Sequence, residues 1–473
     1  MIADSLRISN TWWQTGNVES GRLHKRIRSE FAGILQNEGN RKILLLSGPR
    51  RVGKTSLLFQ AAHQLLAGHV VPRQNVLYFS GSDLSLSIPK YTIRDILTAY
   101  CNEILNRNFE QLRERLFILV DDVHLFADWQ LYLRYFFERG YPIKFIVTAP
   151  QLSQATEGFV QICTDVRVEP LSFLQFAELY CANRETSFDL ISYKSLLPYD
   201  SLFFDPAGYY ETLQANFSQL TQLRAGKTRL IREYLLAGGY PAFFSAPSLP
   251  EWHRRLSEDL VEHTLYRDIL ERTNVKSPEV LRKLLFIIAS LDGEEHSYAS
   301  IAKLLQIDTV TTISYIAHLA SCGLVINCEN LSSNKSGVVR KNRRLYIADC
   351  GLRNALLRRT ALATDDLGGL TVINCMAMAR DYAYGNRARL GFWRNNRADF
   401  DILLQRPGGG RMLPIRIEQR GTAPKRGLRE FAALPPAENG LPPHGVCITD
   451  ESLRRERIPG TLGWVYFIPG WLL

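Results

Sequence analysis

Short apolar runs alternate with amphipathic segments along the first third of the chain. Segments such as "TIRDILTAYCNEIL" carry apolar residues at helical spacing and separate the runs from one another. Strands that alternate with helices predict an α/β fold whose parallel sheet is covered on both faces. The runs that predict strands are "ILLL" (43–46), "NVLYF" (75–79), "LFILV" (116–120), "IKFIVT" (143–148) and "VRVEPLSF" (166–173).

Helical patterns dominate residues 176–275 and end in "TRLIREYLLAGGYPAFF", where the Gly-Gly-Tyr-Pro sequence is typical of a helix end. From residue 278 onward the pattern predicts three short helices and then two strands around a basic loop. A tight turn at 306–308 joins the last two helices. This order is typical of a winged helix-turn-helix, with residues 309–319 as the recognition helix.

The composition narrows the class of protein. The chain has 473 residues, 46% of them hydrophobic, and no apolar run reaches the length of about 18 residues that spans a bilayer. Its first residues, "MIADSLRISNTWW", lack the charged start and apolar core of a signal peptide. The eight cysteines are scattered, without a CxxC pair or metal spacing. We expect a cytoplasmic protein of several domains, with reduced cysteines and no membrane segment.

The formal net charge of +10 favours an anionic partner, of which nucleic acid is the first candidate. The same excess, spread over the whole chain, is also compatible with an ordinary solvated surface. Charge alone therefore leaves both interpretations open.

The stretch "GPRRVGKTS" has the spacing of a P-loop, with an apolar strand before it and a helix after it. Its glycines let backbone N–H groups surround phosphate, Lys54 reaches the β and γ oxygens, and Thr55 holds Mg²⁺. We therefore expect ATP and Mg²⁺ as cofactors. The residues predicted to bind the nucleotide are Gly48, Pro49, Arg50, Arg51, Val52, Gly53, Lys54, Thr55 and Ser56.

Polar residues end two of the other predicted strands. Asp121 follows "LFILV" and would hold Mg²⁺ together with Thr55, while Asp122 would orient the attacking water. Thr148 ends another strand and would act as a polar sensor of the γ-phosphate. Alternatively, the two aspartates only cap a strand end and Thr148 is an ordinary strand-end threonine.

The sequences "GPRRVGKT", "VDDVH", "VTAP", "PLSFLQF" and "YLLAGGYP" resemble a family of prokaryotic AAA-superfamily ATPases. In that family a winged-helix segment and a domain similar to restriction endonucleases follow the ATPase core. The resemblance extends from about residue 25 to the 420s. It implies an N-terminal arm (1–25), a P-loop AAA core (26–175), a helical lid (176–275), a winged helix (276–362) and an α/β endonuclease-like domain (363–473).

The sequence departs from the family at positions that affect hydrolysis. Members usually have Glu where this chain has Asp122, Gly-Ser where it has Ala149 and Pro150, and a Gly-Arg pair before "PLSF" that is missing here. An arginine supplied to the γ-phosphate accelerates hydrolysis, so we expect slow turnover. Arg50 and Arg51 could compensate locally, or could be surface charges. The resemblance also implies a possible homo-oligomer.

The predicted wing is rich in basic residues, which suit sequence-independent contacts with the phosphates of duplex DNA. The predicted recognition helix contains no Arg or Lys, so base-specific contacts are poorly supported. The alternative is a winged segment that serves as a protein–protein spacer. The candidate nucleic-acid contacts are Lys335, Arg340, Lys341, Arg343 and Arg344.

The resemblance implies three metal-binding elements in the C-terminal segment, and this chain retains only part of them. Asp401, with Asp399 on the same strand face, matches the aspartate element. Ile373 and Asn374 replace the acid of the first helix, and the third-strand pair falls on Arg416 and Glu418. We therefore expect an inactive nuclease fold. An active nuclease would require Asp399, Asp401 and Glu418 to gather around a metal ion.

Two hypotheses about function follow. In the first, ATP binding and slow hydrolysis control how the winged and nuclease-like segments act on duplex DNA. In the second, the chain is a nucleotide-gated signalling or assembly switch, as in defence or mobile-element systems, that acts on a protein partner. The basic wing favours the first hypothesis, and the uncharged recognition helix favours the second.

Overall fold

The chain divides into two compact units, Met1–Glu169 and Pro170–Leu473. The finer division into five segments stays a prediction. The computed structural model describes residues 2–22, 41–68, 71–150, 157–184, 186, 188–197, 201–262, 264–265, 269, 277–291, 293–332, 342–362, 366–407, 412–418, 427–434, 444–449 and 451–473.

A five-stranded sheet forms the centre of the first unit, with strands in the order β2-β3-β4-β1-β5. All neighbouring strands are parallel, which confirms the predicted α/β fold with a parallel sheet. β1 and β3 are buried along their whole length, as their unbroken apolar sequences require. The strands are β1 (Ile43–Ser47), β2 (Val76–Ser80), β3 (Leu116–Asp121), β4 (Ile143–Ala149) and β5 (Cys163–Arg167).

Helices connect and flank these strands. α5 begins with a capping box, in which Thr92 and Asp95 each accept a hydrogen bond from the other residue's backbone N–H. The described helices of the first unit are α1 (Ile2–Ser9), α2 (Trp12–Thr15), α3 (Lys54–Ala67), α4 (Leu84–Ser87), α5 (Ile93–Ala99), α6 (Trp129–Glu138) and α7 (Glu157–Ile162).

The last strand of the first sheet differs from the sequence-based expectation. We expected a strand over residues 166–173, but β5 spans Cys163–Arg167. Pro170 has no N–H to continue a ladder, and Ser172 already caps the next helix in a capping box with Gln175. These local signals end the extended segment early.

The N-terminal segment covers the outer edge of β2. The side chain of Asn10 accepts a hydrogen bond from the N–H of Tyr78 at 2.6 Å and donates one to its carbonyl oxygen at 2.8 Å. The indole N–H groups of Trp12 and Trp13 both donate to the carbonyl oxygen of Val76. One buried amide side chain and two tryptophans thus satisfy backbone groups that an edge strand otherwise leaves unpaired.

A nine-stranded sheet dominates the second unit, in the order β13-β14-β12-β11-β10-β9-β7-β8-β6. Parallel pairing of β7 with β9 joins segments 276–362 and 363–473 in one sheet. The strands are β6 (Glu295–His296), β7 (Val325–Asn330), β8 (Arg343–Ile347), β9 (Arg389–Arg394), β10 (Asp399–Gln405), β11 (Met412–Ile417), β12 (His444–Thr449), β13 (Arg454–Arg457) and β14 (Trp464–Pro469).

The longest described helix of the second unit, α11, starts at Pro206 behind the cap Asp205 and ends before Gly238, which has φ 77°. It therefore begins well before the amphipathic segment that predicted it. The described helices of this unit are α8 (Phe173–Asn183), α9 (Leu190–Leu196), α10 (Ser201–Phe204), α11 (Pro206–Ala237), α12 (Leu249–Arg255), α13 (Pro278–Ser290), α14 (Tyr298–Leu305), α15 (Thr309–Ser321), α16 (Cys350–Leu357) and α17 (Asp366–Gly385).

α14 and α15 are joined by the short turn that the sequence indicated. Gln306 takes the left-handed conformation that ends α14, and the side chain of Asp308 accepts a hydrogen bond from the N–H of Thr311 at the start of α15. Among the described residues, no helix combines the length and the apolar character needed to cross a membrane.

Replacing Asn10 by alanine should destabilise the first unit. The change leaves the N–H and carbonyl groups of Tyr78 unpaired at a buried edge, and each such group costs about 1–3 kcal/mol. We expect the free energy of unfolding to fall by about 2 kcal/mol or more. Urea denaturation of the full chain, with hydrogen exchange of peptides that cover β2, measures the effect.

Asn17 provides the matched control, because it lies exposed in the same segment. Asn17→Ala should leave both the denaturation midpoint and the exchange of β2 unchanged. If the backbone amides of β2 exchange no faster in Asn10→Ala than in the wild type, the side chain of Asn10 does not protect this edge.

Candidate functional site

The loop from β1 to α3 has the backbone conformation that its sequence requires. The N–H of Gly48 donates to the carbonyl oxygen of Pro150 at 2.8 Å, and a Cβ on Gly48 would lie 2.0 Å from the carbonyl oxygen of Val168. Gly48 and Gly53 have φ of 148° and 97°, and Arg51 is also left-handed at 65°. The loop thus folds back over the sheet edge and starts α3 at Lys54.

Lys54 is buried at the start of α3, with 8% of its surface exposed. Its ammonium group donates to the carbonyl oxygens of Gly48 at 2.8 Å and Pro49 at 2.6 Å. These bonds hold the positive charge inside the loop and beside the N-terminus of a helix, where backbone N–H groups attract anions.

Two predicted residues, Thr55 and Thr148, donate hydrogen bonds to the carboxylate of Asp121. The hydroxyl of Thr55 donates to Oδ2 at 2.7 Å, and the hydroxyl of Thr148 donates to Oδ1 at 2.5 Å. Thr148 Oγ1 also accepts a hydrogen bond from the N–H of Asp122 at 2.8 Å. Because β4 lies between β1 and β3, the ends of these strands bring the residues together.

Burial raises the pKa of Asp121, and the neighbouring charge of Asp122 raises it further. The hydrogen bonds from Thr148 and Thr55 and the positive charge of Lys54 act in the opposite direction. A divalent cation at this carboxylate would stabilise its ionised form. The donor set of a threonine hydroxyl and a buried carboxylate, beside a lysine, fits Mg²⁺ and phosphate.

Asp122 adopts a left-handed conformation with φ 48°, immediately after β3. Its Oδ2 accepts a hydrogen bond from the hydroxyl of Ser82 at 2.7 Å. The Nδ1 atom of His124 lies 4.0 Å from its Oδ1. The two adjacent acids therefore have different hydroxyl partners, Thr55 and Thr148 at Asp121 and Ser82 at Asp122.

Two further residues belong to this cluster that the sequence did not indicate. The hydroxyl of Tyr78 donates to Oδ2 of Asp121 at 3.3 Å, and the hydroxyl of Ser82 donates to Oδ2 of Asp122 at 2.7 Å. Tyr78 lies in β2 and Ser82 just after it, so the parallel pairing of β2 with β3 places them here. Neither residue belongs to a motif, and no local sequence signal marks them.

The candidate phosphate contacts in the basic loop require a correction. Lys335, Arg340 and Lys341 lie outside the described residues. Arg343 and Arg344 lie in β8 and are only 9% and 7% exposed, so predicting them as DNA contacts was wrong. Each of them pairs with acidic side chains within the second unit, which offsets the cost of burying a guanidinium.

Arg343 is opposite Glu329 in the β7–β8 ladder, and its Nη1 lies 3.2 Å from the Glu329 carboxylate. Arg344 reaches the carboxylates of Asp399 at 2.9 Å and Asp401 at 3.2 Å. Its guanidinium also lies over the ring of Phe392, 4.6 Å from the centroid. Arg344 therefore connects β8 to β10 across the sheet.

The second oxygen of Asp401 accepts a hydrogen bond from the N–H of Ile417 at 2.8 Å. Burial raises the pKa of Asp401, while the positive charge of Arg344 lowers it. Arg416, which occupies the third-strand position, pairs with Glu430 instead. The guanidinium of Arg344 thus supplies a positive charge at Asp399 and Asp401.

The three acids of the active-nuclease hypothesis do not form a metal site in the described residues. No group of three or more His, Cys, Asp or Glu side chains in those parts of the chain could hold a metal ion. Glu418 lies beside the thiol of Cys447. Ile373 and Asn374, which replace the first-helix acid, are buried in α17.

Two family models match parts of the chain. Residues 40–177 match the family described as AAA domain. Residues 228–363 match a family described as domain of unknown function (DUF8612). The first match agrees with the P-loop, the parallel sheet and the polar strand ends, so the first unit has the fold of an AAA-type ATPase.

One curated relative and two solved structures are also similar. The uncharacterised protein MJ1637 of Methanocaldococcus jannaschii is 24% identical over 74% of this chain and 70% of its own length. The ORC2 protein of Aeropyrum pernix (ADPNP-ADP complexes) has a TM-score of 0.33 and 15% identity, over 76% of this chain and 98% of that chain. PCH-2 of C. elegans has a TM-score of 0.23 and 19% identity, over 33% of this chain and 46% of that chain, so less than half of PCH-2 is matched.

Replacing Arg344 by methionine should destabilise the second unit in a pH-dependent way. Removing this guanidinium should cost about 1–3 kcal/mol, because two carboxylates stay behind without a partner but remain half-exposed to solvent. Because the folded-state pKa of Asp401 is raised, the protein loses stability as the pH rises through that pKa. Removal of Arg344 raises the pKa of Asp401 further. We therefore expect the loss in urea denaturation to be largest near neutral pH and to shrink on acidification.

Two companion variants test this reasoning. Asp401→Asn in the Arg344→Met background should recover stability at neutral pH, because it removes one unpaired charge. Arg389→Met removes an exposed ion pair with Glu329 and should change little. A pH-independent loss in Arg344→Met would contradict the electrostatic explanation.

Proposed function

We propose that this protein binds Mg-ATP at the P-loop and hydrolyses it slowly. The observation that carries the proposal is the convergence of Lys54, Thr55, Asp121 and Thr148 at one edge of the parallel sheet. Mg²⁺, when bound with ATP, would neutralise charge that develops on the phosphates. Thr55 and Asp121 would hold the metal, and Lys54 would contact the β and γ oxygens.

The surroundings of Asp122 and the missing arginine support slow turnover. Asp122 is the residue that would orient water, but its carboxylate is shorter than that of Glu and is engaged by Ser82. The sequence before "PLSF" lacks the Gly-Arg pair that the resembling family carries. Thr148 would support water positioning, because it fixes the backbone N–H of Asp122.

Two substitutions separate nucleotide binding from hydrolysis. Lys54→Ala should weaken Mg-ATP binding by about tenfold or more, because it removes a charge-assisted contact with phosphate. Asp122→Asn should keep the affinity and lower the turnover by about 100-fold. Equilibrium binding of a fluorescent ATP analogue and single-turnover hydrolysis measure the two effects.

Lys42→Ala is the control for loss of positive charge, since Lys42 is exposed just before β1. It should match the wild type in both assays. Wild-type protein without measurable Mg-ATP affinity would sink the proposal, as would unchanged affinity in Lys54→Ala.

We propose that the second unit binds the partner and that nucleotide state controls this binding. Duplex DNA is the first candidate partner. The order α13, β6, α14, α15, β7, β8 supports a winged helix-turn-helix, and the sequence between β7 and β8 includes Lys335, Arg340 and Lys341. Such residues contact phosphates regardless of sequence. The net charge of +10 supports the same partner.

In this proposal the C-terminal segment is a nuclease-like platform that does not cleave DNA. Arg344 supplies a permanent positive charge to Asp399 and Asp401, the residues that would otherwise hold a metal ion. The platform would then provide a surface that contacts DNA, while nucleotide state controls the affinity for DNA.

A protein partner is the second candidate, because of the surface of α15. Val310 is 77% exposed, and Leu304 at the end of the preceding helix is 61% exposed. Ser314 and Ala317 on α15 are exposed and uncharged. This helix surface is better suited to a protein than to guanine bases, which prefer Arg or Lys. Nucleotide state would then change an assembly instead of DNA affinity.

Duplex-DNA binding over a salt series, with ATP, with ADP and in Lys54→Ala, distinguishes the two partners. Under the DNA proposal, binding weakens steeply with salt and differs between ATP and ADP. Reversing Lys335, Arg340 and Lys341 to Glu should lower the slope of log affinity against log salt by about three. The matched control reverses the exposed residues Arg229, Arg232 and Arg358 of the same unit.

Equal effects of the two charge reversals would show that the wing has no special role. Absence of DNA binding at low salt with every nucleotide would reject DNA as the partner. A particle mass that changes with nucleotide would then support the protein-partner candidate.

A further inference from the structure

Tyr78 lies where the N-terminal segment and the candidate metal site meet. It is in β2, the edge strand of the first sheet, and only 9% of its surface is exposed. Its hydroxyl donates to Oδ2 of Asp121 at 3.3 Å. This is the oxygen that also accepts the hydroxyl of Thr55, so two hydroxyl groups converge on one carboxylate oxygen.

The ring of Tyr78 is held by packing against α3, the helix that carries the P-loop lysine. Its centroid lies 4.6 Å from that of Phe59, and the ring of Trp12 lies 6.4 Å from Phe59 in an edge-on arrangement. Trp12 is fully buried. A continuous row of aromatic rings thus connects the N-terminal segment to Tyr78.

The backbone of Tyr78 is held from the same direction. The side chain of Asn10 bonds both its N–H and its carbonyl oxygen, in the manner of a neighbouring strand. Asn10 itself is fully buried and also donates to the carbonyl oxygen of Leu6 at 2.7 Å. The main chain and the ring of Tyr78 are therefore both held in place, and they determine where its hydroxyl group lies.

A second, shorter connection reaches Asp122. Ser5 in α1 donates to the carboxylate of Asp83 at 3.2 Å. The preceding residue, Ser82, donates to Asp122 at 2.7 Å. The N-terminal segment thus also contacts the turn after β2, which carries Ser82, the partner of Asp122.

We propose that Tyr78 is a positioning residue for the metal ligand Asp121, and that residues 2–22 form part of the metal site. The inference rests on the proposed Mg-ATP function. With Tyr78 and Thr55 on Oδ2 and Thr148 on Oδ1, the plane of the carboxylate is fixed by three hydroxyl groups. Loss of a partner that orients a metal ligand typically lowers metal affinity by about 10- to 100-fold.

Tyr78→Phe removes only the hydroxyl and keeps the ring against Phe59. The concentration of Mg²⁺ that gives half-maximal binding of a fluorescent ATP analogue should rise about tenfold. Affinity for the same analogue in EDTA should stay at the wild-type value, because Lys54 and the loop are unchanged. A structural defect would instead weaken both measurements together.

Tyr141→Phe is the matched control, since its hydroxyl bonds the exposed carboxylate of Glu110 at 2.9 Å. It should leave the dependence on Mg²⁺ unchanged. If Tyr78→Phe behaves like this control, the role assigned to Tyr78 is wrong. If the wild type itself shows no effect of Mg²⁺ on nucleotide binding, the proposed function fails instead.

Asn10→Ala tests the contribution of the N-terminal segment, with the tyrosine hydroxyl still present. It should raise the half-maximal Mg²⁺ concentration, and the double variant with Tyr78→Phe should shift it no further than Tyr78→Phe alone. An unchanged dependence on Mg²⁺ in Asn10→Ala would remove residues 2–22 from the metal site.

Discussion

The carboxylate of Asp121 is the group on which the first unit depends. It lies buried at the end of β3, where an ionised carboxylate without partners is costly. The sheet order places Thr148 on the next strand, Thr55 at the start of α3 and Tyr78 on the opposite neighbour, and all three donate hydrogen bonds to it. These bonds offset the cost of burial and also fix the direction in which the carboxylate can face a cation. Local stability and the geometry of the site therefore have the same physical origin.

The second unit meets a similar requirement in another way. Asp401 and Asp399 are half-buried, and the compensating charge comes from Arg344, which is itself buried. A guanidinium stays protonated at any physiological pH, so this arrangement needs no metal ion. Because Arg344 belongs to β8 and the aspartates to β10, the ion pair also joins parts of the chain that resemble separate domains. The same ion pairs that compensate the charges of Asp399 and Asp401 thus also link β8 to β10 within one sheet.

The sequence predicts the P-loop well because Gly48, Gly53 and Lys54 act within one continuous segment, whose backbone conformation is local. It also indicates Asp121 and Thr148, since the ends of parallel strands meet at one edge. Tyr78 escapes such reasoning, because its contact depends on which strand lies beside β3 and on how its ring packs. The sequence fails at Arg344 for a related reason. Consecutive charged residues predict an exposed loop, whereas Arg344 is buried and pairs with Asp399 and Asp401, which lie far away along the chain.

The edge of β2 gives the N-terminal segment a role beyond covering unpaired backbone groups. Asn10 can hold Tyr78 in place only while the segment is folded against the sheet, and Tyr78 in turn bonds the carboxylate that would hold the metal. Coupling of this kind is reciprocal: if the folded segment favours metal binding, a bound metal must stabilise the folded segment by the same free energy. A partner that displaced residues 2–22 would therefore weaken the metal site without contacting the nucleotide. In this proposal Tyr78 connects the N-terminal segment of the first unit to the carboxylate of Asp121.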